Sequence, residues 1–321
     1  MRHSQDRSAW LAKAGYGLGL HWTAQSLPRG KRAPMPFARA VERFDVSRLA
    51  AQCDEAGAGW LLFTISHALQ YLPFPSARMD AALPGRTCER DLMGELAAAL
   101  ARRGIRLIFY YPSTATREDP DWQKACGLHT DPAAYQALQF ELVAEIGERY
   151  GKALAGWWID NCADPRFQPQ PAKPVDADYY PRYAEALRRG NPKRLVAFNF
   201  TGTGPGLWRS TLGKGIADYA AGESDSLDRI PCGPRSGEGG TRWHAYVWMD
   251  DDRGGPEPGW IHTVPGKVGP PRYRTEHVIA YMNCVLQQRG AFTYGVAPYQ
   301  DDLIAETTMT QLRALKKAFR A

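Results

Sequence analysis

The 321-residue sequence lacks the long apolar runs of membrane proteins, because no stretch approaches the roughly 18 consecutive apolar residues of a transmembrane helix. Its opening residues, MRHSQDRSAW, lack the apolar core of a signal peptide. Its six cysteines include no Cys-x-x-Cys pair, and widely spaced free thiols are typical of a reducing compartment. We therefore expect a cytoplasmic protein with no membrane partner; a protein secreted after removal of a signal peptide is the alternative.

Patterns of metal, cofactor and nucleic-acid binding are also missing. No segment carries the His-x-His pair that barrel metallohydrolases place on one strand, so we expect no metal and no cofactor. A zinc site built from His21, His67 and His244 is the alternative. Lys and Arg exceed Asp and Glu by 40 − 34 = 6, but the basic residues are scattered along the chain, so we expect no nucleic-acid partner.

The sequence does contain a regular alternation of β-rich and helix-like segments. Apolar residues make up 44% and charged residues 23%, which is typical of globular proteins and excludes global disorder. The predicted strands are residues 16–22, 59–66, 105–111, 154–160, 194–200, 216–222, 241–249 and 290–297. The predicted helices are residues 46–56, 91–103, 131–150, 177–189, 272–289 and 303–319. This order predicts an α/β fold, a single TIM-like (β/α)8 barrel over residues 1–321, with long loops at 230–240 and 250–271.

Polar and aromatic residues stand at or near the ends of nearly all the predicted strands. In such barrels the active site lies at the carboxyl ends of the strands, so these residues are the candidate site. They are His21, Trp22, His67, Tyr111, Asp160, Asn199, Glu223, Trp243, His244 and Trp248.

Two of these residues are carboxylates that suit one reaction class. Asp160 directly follows the apolar Gly-Trp-Trp-Ile of its strand, and Glu223 lies two strands later. Glycoside hydrolysis needs two carboxylates on either side of the scissile bond, one to attack or stabilise the oxocarbenium-like state and one to deliver a proton. The alternative for Asp160 is a structural carboxylate in a helix cap or an ion pair.

Taken in order, several motifs resemble the alpha-L-fucosidase family of retaining glycoside hydrolases over most of the chain. Each motif is weak alone, but their order and spacing are specific. They are KAGYGLGLHW at 13–22, TISH at 64–67, RDLMGEL at 90–96, the Tyr-Tyr pair at 110–111, WWIDN at 157–161, DYAAGE at 218–223 and GAFTYGVAP at 290–298.

The resemblance implies a retaining exo-glycosidase with a carbohydrate as its partner. Asp160 would be the nucleophile that forms a glycosyl-enzyme, and Glu223 the acid/base. The remaining candidates would bind substrate through hydrogen bonds or by stacking on the sugar ring: His21, Trp22, His67, Tyr111, Asn199, Trp243, His244 and Trp248.

Departures from the family pattern affect the groups that bind the sugar. Ala68 replaces the second histidine of the family's pair, and no arginine occurs at 199–202. His244 stands where the family often has Glu, and the chain predicts no C-terminal β-sandwich. Because losing hydrogen-bonding groups redirects specificity, we expect an altered sugar preference.

Two other functions are compatible with the sequence. A non-catalytic carbohydrate-binding barrel would explain the altered sugar-binding residues. A barrel hydrolase of other chemistry would keep the fold alone, since one fold hosts many functions. The presence of both Asp160 and Glu223 favours the glycosidase over the binding protein.

Overall fold

The computed structural model describes residues 6–113, 118–162, 178–200, 212, 215–224, 226–228, 235–236, 241–250, 270–301 and 304–320. The predicted loops at 230–240 and 250–271 therefore lie mostly outside the described residues.

Ten strands occur in the described part of the chain, and eight of them form one parallel sheet. The strands are β1 (Tyr16–Leu20), β2 (Trp60–Thr64), β3 (Arg106–Pro112), β4 (Leu154–Asp160), β5 (Leu195–Phe198), β6 (Glu223–Ser224), β7 (Arg235–Ser236), β8 (Thr241–Arg242), β9 (His244–Trp248) and β10 (Ala291–Val296). The helices are α1 (Ala9–Ala14), α2 (Phe37–Arg43), α3 (Val46–Glu55), α4 (Ala77–Ala82), α5 (Leu92–Ala101), α6 (Pro120–Ala125), α7 (Pro132–Tyr150), α8 (Tyr179–Leu187), α9 (Thr275–Gln287) and α10 (Glu306–Arg320).

The sheet has the strand order of a barrel. Its strands run β5-β4-β3-β2-β1-β10-β9-β6, and β7 pairs with β8 as a separate antiparallel ribbon. The two ends of this order are joined through Asp218, whose N–H donates to Val196 O on β5 at 2.8 Å and whose carbonyl accepts from Arg242 N at 3.1 Å. The sheet therefore curls round on itself, and the predicted TIM-like barrel is confirmed.

Alternation along the strands divides the buried side chains into two layers. One cluster lies inside the barrel and includes Leu62, Tyr110, Trp158 and Tyr246, with Leu11 of α1 at its base. The other cluster fills the space between the sheet and the surrounding helices.

The interior is filled so tightly that one position on β1 admits glycine alone. A Cβ atom on Gly19 would lie 2.5 Å from the ring of Tyr246, which belongs to β9, the strand beyond the neighbouring β10. Because Gly19 has no side chain, the ring of Tyr246 can occupy this space beneath the mouth of the barrel.

Aspartate side chains fix the starts of several helices. Asp45, Asp91 and Asp131 each accept a hydrogen bond from a backbone N–H in the first turn of α3, α5 and α7, as N-caps do. The six predicted helices are confirmed to within a few residues, whereas α1, α2, α4 and α6 were not predicted. No helix of the described residues is both long enough and apolar enough to span a bilayer.

The buried guanidinium of Arg194 ties the base of the barrel to two helix ends. Arg194 is fully buried, and burial lowers its pKa to about 10. Its N–H groups reach carbonyls at the ends of α7 and α8, where helix dipoles favour a cation. The acceptors are the carbonyl oxygens of Gly147, Gly151, Leu154, Leu187 and Arg189.

The prediction of the sixth strand at residues 216–222 is wrong in position. Residues 216–222 form turns and an isolated bridge, and the strand itself is the short β6, directly after them. Gly222 has φ +67°, and a Cβ atom there would lie 1.8 Å from the carbonyl oxygen of His244. The backbone thus approaches β9 through a conformation that a regular strand does not allow.

Candidate active site

Backbone hydrogen bonds on both sides hold the end of β4, where Asp160 lies. The carbonyl of Asp160 accepts from Ser113 N at 2.8 Å, and the carbonyl of Ile159 accepts from Asn199 N at 2.7 Å. The chain turns sharply at the next residue, since Asn161 has φ +53°, a left-handed conformation that asparagine tolerates well. Asp160 is therefore fixed at the carboxyl end of the sheet, as predicted from its place after the apolar strand.

Each oxygen of the Asp160 carboxylate has its own hydrogen-bond donor. The hydroxyl of Tyr110 donates to Oδ2, and Asn199 Nδ2 donates to Oδ1 at 2.8 Å. Burial, and then the charge of Asp160, raise the pKa of Tyr110 well above its ordinary value, so the phenol stays protonated and keeps donating. These two donors orient a carboxylate that is itself partly exposed.

Glu223 lies beside Asp160 and shares its hydrogen-bond donor, Asn199. On β6 it pairs with Tyr246 of β9, and it is buried. Asn199 Nδ2 donates to Glu223 Oε2 as well as to Asp160 Oδ1. Since one nitrogen is within hydrogen-bonding distance of both carboxylates, the two acceptor oxygens lie at most about 6 Å apart.

Aromatic rings form the floor beneath the two carboxylates. Tyr110 stacks on Trp158 with ring centroids 5.0 Å apart, and Tyr246 meets Trp158 edge-on at 5.6 Å. Burial, and then Glu223 and Asp160, raise the pKa of Tyr246 well above its ordinary value. Tyr110 and Tyr246 were not among the predicted substrate-binding residues, because alternation places neighbouring side chains on opposite faces of a strand without showing which face is inside.

His21 and His67 form a pair next to Tyr110. Their ring centroids are 4.3 Å apart, and His21 Nδ1 is 3.1 Å from Thr64 Oγ1. Burial is the main cause that lowers the pKa of both rings. The pKa of His21 lies well below its ordinary value, whereas the charge of Asp160 partly offsets the effect of burial on His67. Neutral imidazoles offer one donor and one acceptor each, which suits hydrogen bonding to sugar hydroxyls.

Two predicted stacking residues lie outside the barrel interior, which corrects their predicted roles. The hydroxyl of Tyr111 accepts from Gln70 Nε2 at 2.9 Å and donates to Gln139 Oε1 at 3.1 Å, in the layer between sheet and helices. The ring of Trp22 packs among phenylalanines of the same layer, 4.9 Å from Phe44. In each strand the neighbouring residue, Tyr110 or His21, faces the interior.

Three further predicted substrate-binding residues, Trp243, His244 and Trp248, lie in or just before β9, and their positions relative to the mouth differ. Trp243 packs in the outer layer, and His244 lies at the start of β9, where Nε2 is 2.7 Å from Thr293 Oγ1. His244 is thus two residues below the level of Tyr246 and away from the mouth, which corrects its predicted role. Trp248, the last residue of β9, lies on the same side of its strand as Tyr246, at the mouth end.

The alternative zinc site is not assembled. His244 is held at the base of the strands by the carbonyls of Ala220 and Ala221, whereas His21 and His67 lie at the opposite end. Among the described residues, no group of three or more His, Cys, Asp or Glu side chains is arranged to hold a metal ion.

The assembled site consists of two carboxylates joined by one amide, with two tyrosines beneath them and two neutral histidines alongside. Asp160 is partly exposed to solvent, and Glu223 is buried. Such a pair can divide the roles of nucleophile and proton donor in an acyl or glycosyl transfer.

Comparison with known families agrees with the motifs of the sequence. The family model described as Alpha-L-fucosidase matches residues 31–186, just under half of the chain. No protein with a curated description matches the chain significantly.

Solved structures of similar fold span nearly the whole chain. An endo-fucoidan hydrolase of glycoside hydrolase family 107 is 14% identical, with a TM-score of 0.71, over 98% of this chain and 93% of its own. An alpha-L-fucosidase from Lactobacillus casei, solved with alpha-L-fucose, is 16% identical, with a TM-score of 0.67, over 99% of this chain and 100% of its own. Alpha-L-fucosidase isoenzyme 1 from Paenibacillus thiaminolyticus is 18% identical, with a TM-score of 0.68, over 99% of this chain and 76% of its own.

At identities this low, the structural similarity shows a shared fold alone. The family-model match adds a similarity in sequence. The chain therefore resembles the alpha-L-fucosidase family, in sequence over residues 31–186 and in fold over nearly its whole length.

Proposed function

We propose that the chain is a retaining exo-glycoside hydrolase related to the alpha-L-fucosidases, with Asp160 as nucleophile and Glu223 as acid/base. The comparisons support glycoside hydrolysis as the class of activity. The observation that carries the proposal is the contact of Asn199 Nδ2 with both carboxylates.

The spacing of the carboxylates favours retention of configuration. Retaining glycosidases hold their two carboxyl groups about 5–5.5 Å apart, whereas inverting ones need about 6.5–9.5 Å to admit a water molecule. The limit of about 6 Å concerns the nearest oxygens of the two groups, and it is compatible with the spacing of the first class.

The first step would use both carboxylates. One oxygen of Asp160 attacks the anomeric carbon while the bond from that carbon to the leaving oxygen breaks. Glu223 gives its proton to that oxygen, and a covalent glycosyl-Asp160 ester is formed.

The second step would reverse the roles. Glu223 takes a proton from water, whose oxygen attacks the anomeric carbon, and the ester bond to Asp160 breaks. Two inversions give net retention, and Glu223 ends the cycle protonated.

The neighbouring residues suit the binding of a sugar. His21 and His67 would hydrogen-bond to hydroxyls, and Trp248 would stack on the ring or its aglycone. Ala68 stands where the related family carries a histidine, and the arginine that the family carries just after β5 is absent from residues 199–202. We therefore propose that the preferred sugar differs from α-L-fucose or is less strictly selected.

A panel of aryl glycosides, α-L-fucoside included, tests the proposal with the wild type, Asp160→Ala and Asp80→Ala. Asp80 is an exposed carboxylate on α4 that contacts Thr87, so its removal is the matched control. We expect hydrolysis of at least one member, a loss of kcat by about 10³-fold or more in Asp160→Ala, and little change in Asp80→Ala. Full turnover by Asp160→Ala, or no hydrolysis of any member by the wild type, would contradict the proposal.

A further inference from the structure

A second concave region lies at the opposite end of the barrel. This basal cleft has a volume of about 780 Å³, and it is bounded by α1, α5 and the starts of β3, β4 and β5. That volume is within the range of about 300–1,000 Å³ that small-molecule sites occupy. Because β3 extends six residues from Arg106 to Pro112, which pairs with Asp160, the cleft is roughly 20 Å below the carboxylates.

The charges that line the basal cleft do not cancel. Asp6 is paired with Arg242 at 2.8 Å, and Arg7 is paired with Asp218 at 3.0 Å. The other charged lining residues are all cations, namely Arg106, Lys152 and Lys193. Among the ion pairs of the described residues, none involves these three side chains, so the cleft carries three uncompensated positive charges.

Arg106 is exposed, but its guanidinium packs on an aromatic ring. Its guanidinium lies over the ring of Trp10, 4.4 Å from the centroid, and Trp10 meets Trp60 edge-on at 6.1 Å. Burial lowers the pKa of Arg106, which is the cost of a partly desolvated charge without a carboxylate partner. A guanidinium fixed in this way loses little conformational freedom when it binds an anion.

The three cations are spaced by the sheet itself. Arg106 begins β3, Lys152 comes two residues before β4, and Lys193 comes two residues before β5. Since neighbouring strands are about 4.8 Å apart, the starts of β3 and β5 lie roughly 10 Å apart, with the start of β4 between them. Asn191 adds amide donors, because its Oδ1 already accepts from Lys193 N at 3.0 Å.

We propose that the basal cleft binds a small anion that carries two phosphate or sulfate groups. Two such groups would bridge cations on neighbouring strand starts, and the apolar part of the ligand would pack against Ala97, Ala101 and Ile105. The ligand is distinct from the sugar at Asp160, because the interior of the barrel between the two ends is filled by side chains.

Calorimetric titration tests the proposal with two probes, inorganic pyrophosphate and a disulfated disaccharide, at constant ionic strength. We expect saturable binding of at least one probe. Tighter binding of pyrophosphate assigns the cleft to phosphorylated ligands, and tighter binding of the disaccharide assigns it to sulfated saccharides.

Three variants locate the binding. Lys152→Gln with Lys193→Gln leaves the Arg106–Trp10 contact intact and should weaken binding about fivefold or more, and Arg106→Gln about tenfold or more. The matched control, Arg39→Gln with Lys124→Gln, removes two exposed cations elsewhere and should change binding less than about twofold. No saturable binding of either probe, or equal weakening in the control, would overturn the proposal.

Discussion

At the scale of single residues, Asn199 is the connection between the two carboxylates. Its Nδ2 donates to Asp160 and Glu223 together, and its backbone N–H donates to the carbonyl of Ile159. Without this amide, the two carboxyl groups would lose the donor that they share. Asn199 therefore holds the spacing on which the proposed mechanism depends.

We predict that Asn199→Ala lowers kcat by about 10²–10³-fold, with a much smaller change in KM. The reason is that the two carboxylates lose their common donor, whereas the histidines proposed to bind the sugar are untouched. Steady-state kinetics on the hydrolysed aryl glycoside measures this split.

Gln139→Ala is the control for that variant. Gln139 is also a buried amide, but it contacts Tyr111 in the layer between sheet and helices. We expect it to lower stability with kcat nearly unchanged. An equal loss of kcat in both variants would assign Asn199 a merely structural role.

Neighbouring residues of a strand show what the sequence could and could not predict at this scale. Asp160, Asn199, Glu223 and the two histidines were predicted, because polar residues at strand ends are visible in the sequence. The choice between Tyr110 and Tyr111 was not, because both are aromatic and the inward face depends on the pairing register with β4. A shift of one residue exchanges the two faces, and register is not readable from one strand alone.

At the scale of elements, the long apolar strands and capped helices were predictable, and the sixth strand was not. β6 has two residues and depends on contacts with β9 and on the left-handed conformation of Gly222. Such an element is formed by tertiary contacts and leaves little periodicity in the sequence. The four short helices were missed for the same reason, since each has six or seven residues.

Asp250 joins three elements after the end of β9. Its carboxylate accepts from Ala297 N, just after β10, at 2.9 Å and from Thr308 Oγ1 of α10 at 2.6 Å. The side chain is buried, and burial raises its pKa from 3.8 to about 6, although both hydrogen bonds act in the opposite direction.

We predict that this carboxyl group makes stability depend on pH. The folded state keeps its proton up to about pH 6, whereas the unfolded state loses it near pH 4, so stability falls as pH rises between these values. The free energy of unfolding of the wild type should fall by about 2 kcal/mol relative to Asp250→Asn between pH 4 and pH 7. Urea denaturation of both proteins across this range measures the difference, with Asp80→Asn as an exposed control; a difference that stays constant with pH would contradict the prediction.

At the scale of the whole molecule, the barrel separates two chemically different ends. The carboxyl ends of the strands carry the paired carboxylates and neutral histidines, and the amino ends carry the cations of the basal cleft. Packed aromatic and aliphatic side chains fill the space between them. The closed barrel itself was predictable from the alternation of strands and helices, because each unit must bury its apolar face against its neighbours.

In the proposed mechanism, Asp160 and Glu223 act across a short gap by double displacement. The most direct measurement is the anomeric configuration of the first sugar released from a hydrolysed aryl glycoside, followed by proton NMR before mutarotation. We expect the first product to have the same configuration as the substrate. A first product of inverted configuration would contradict it, because inversion requires a gap wide enough for water between the two carboxylates.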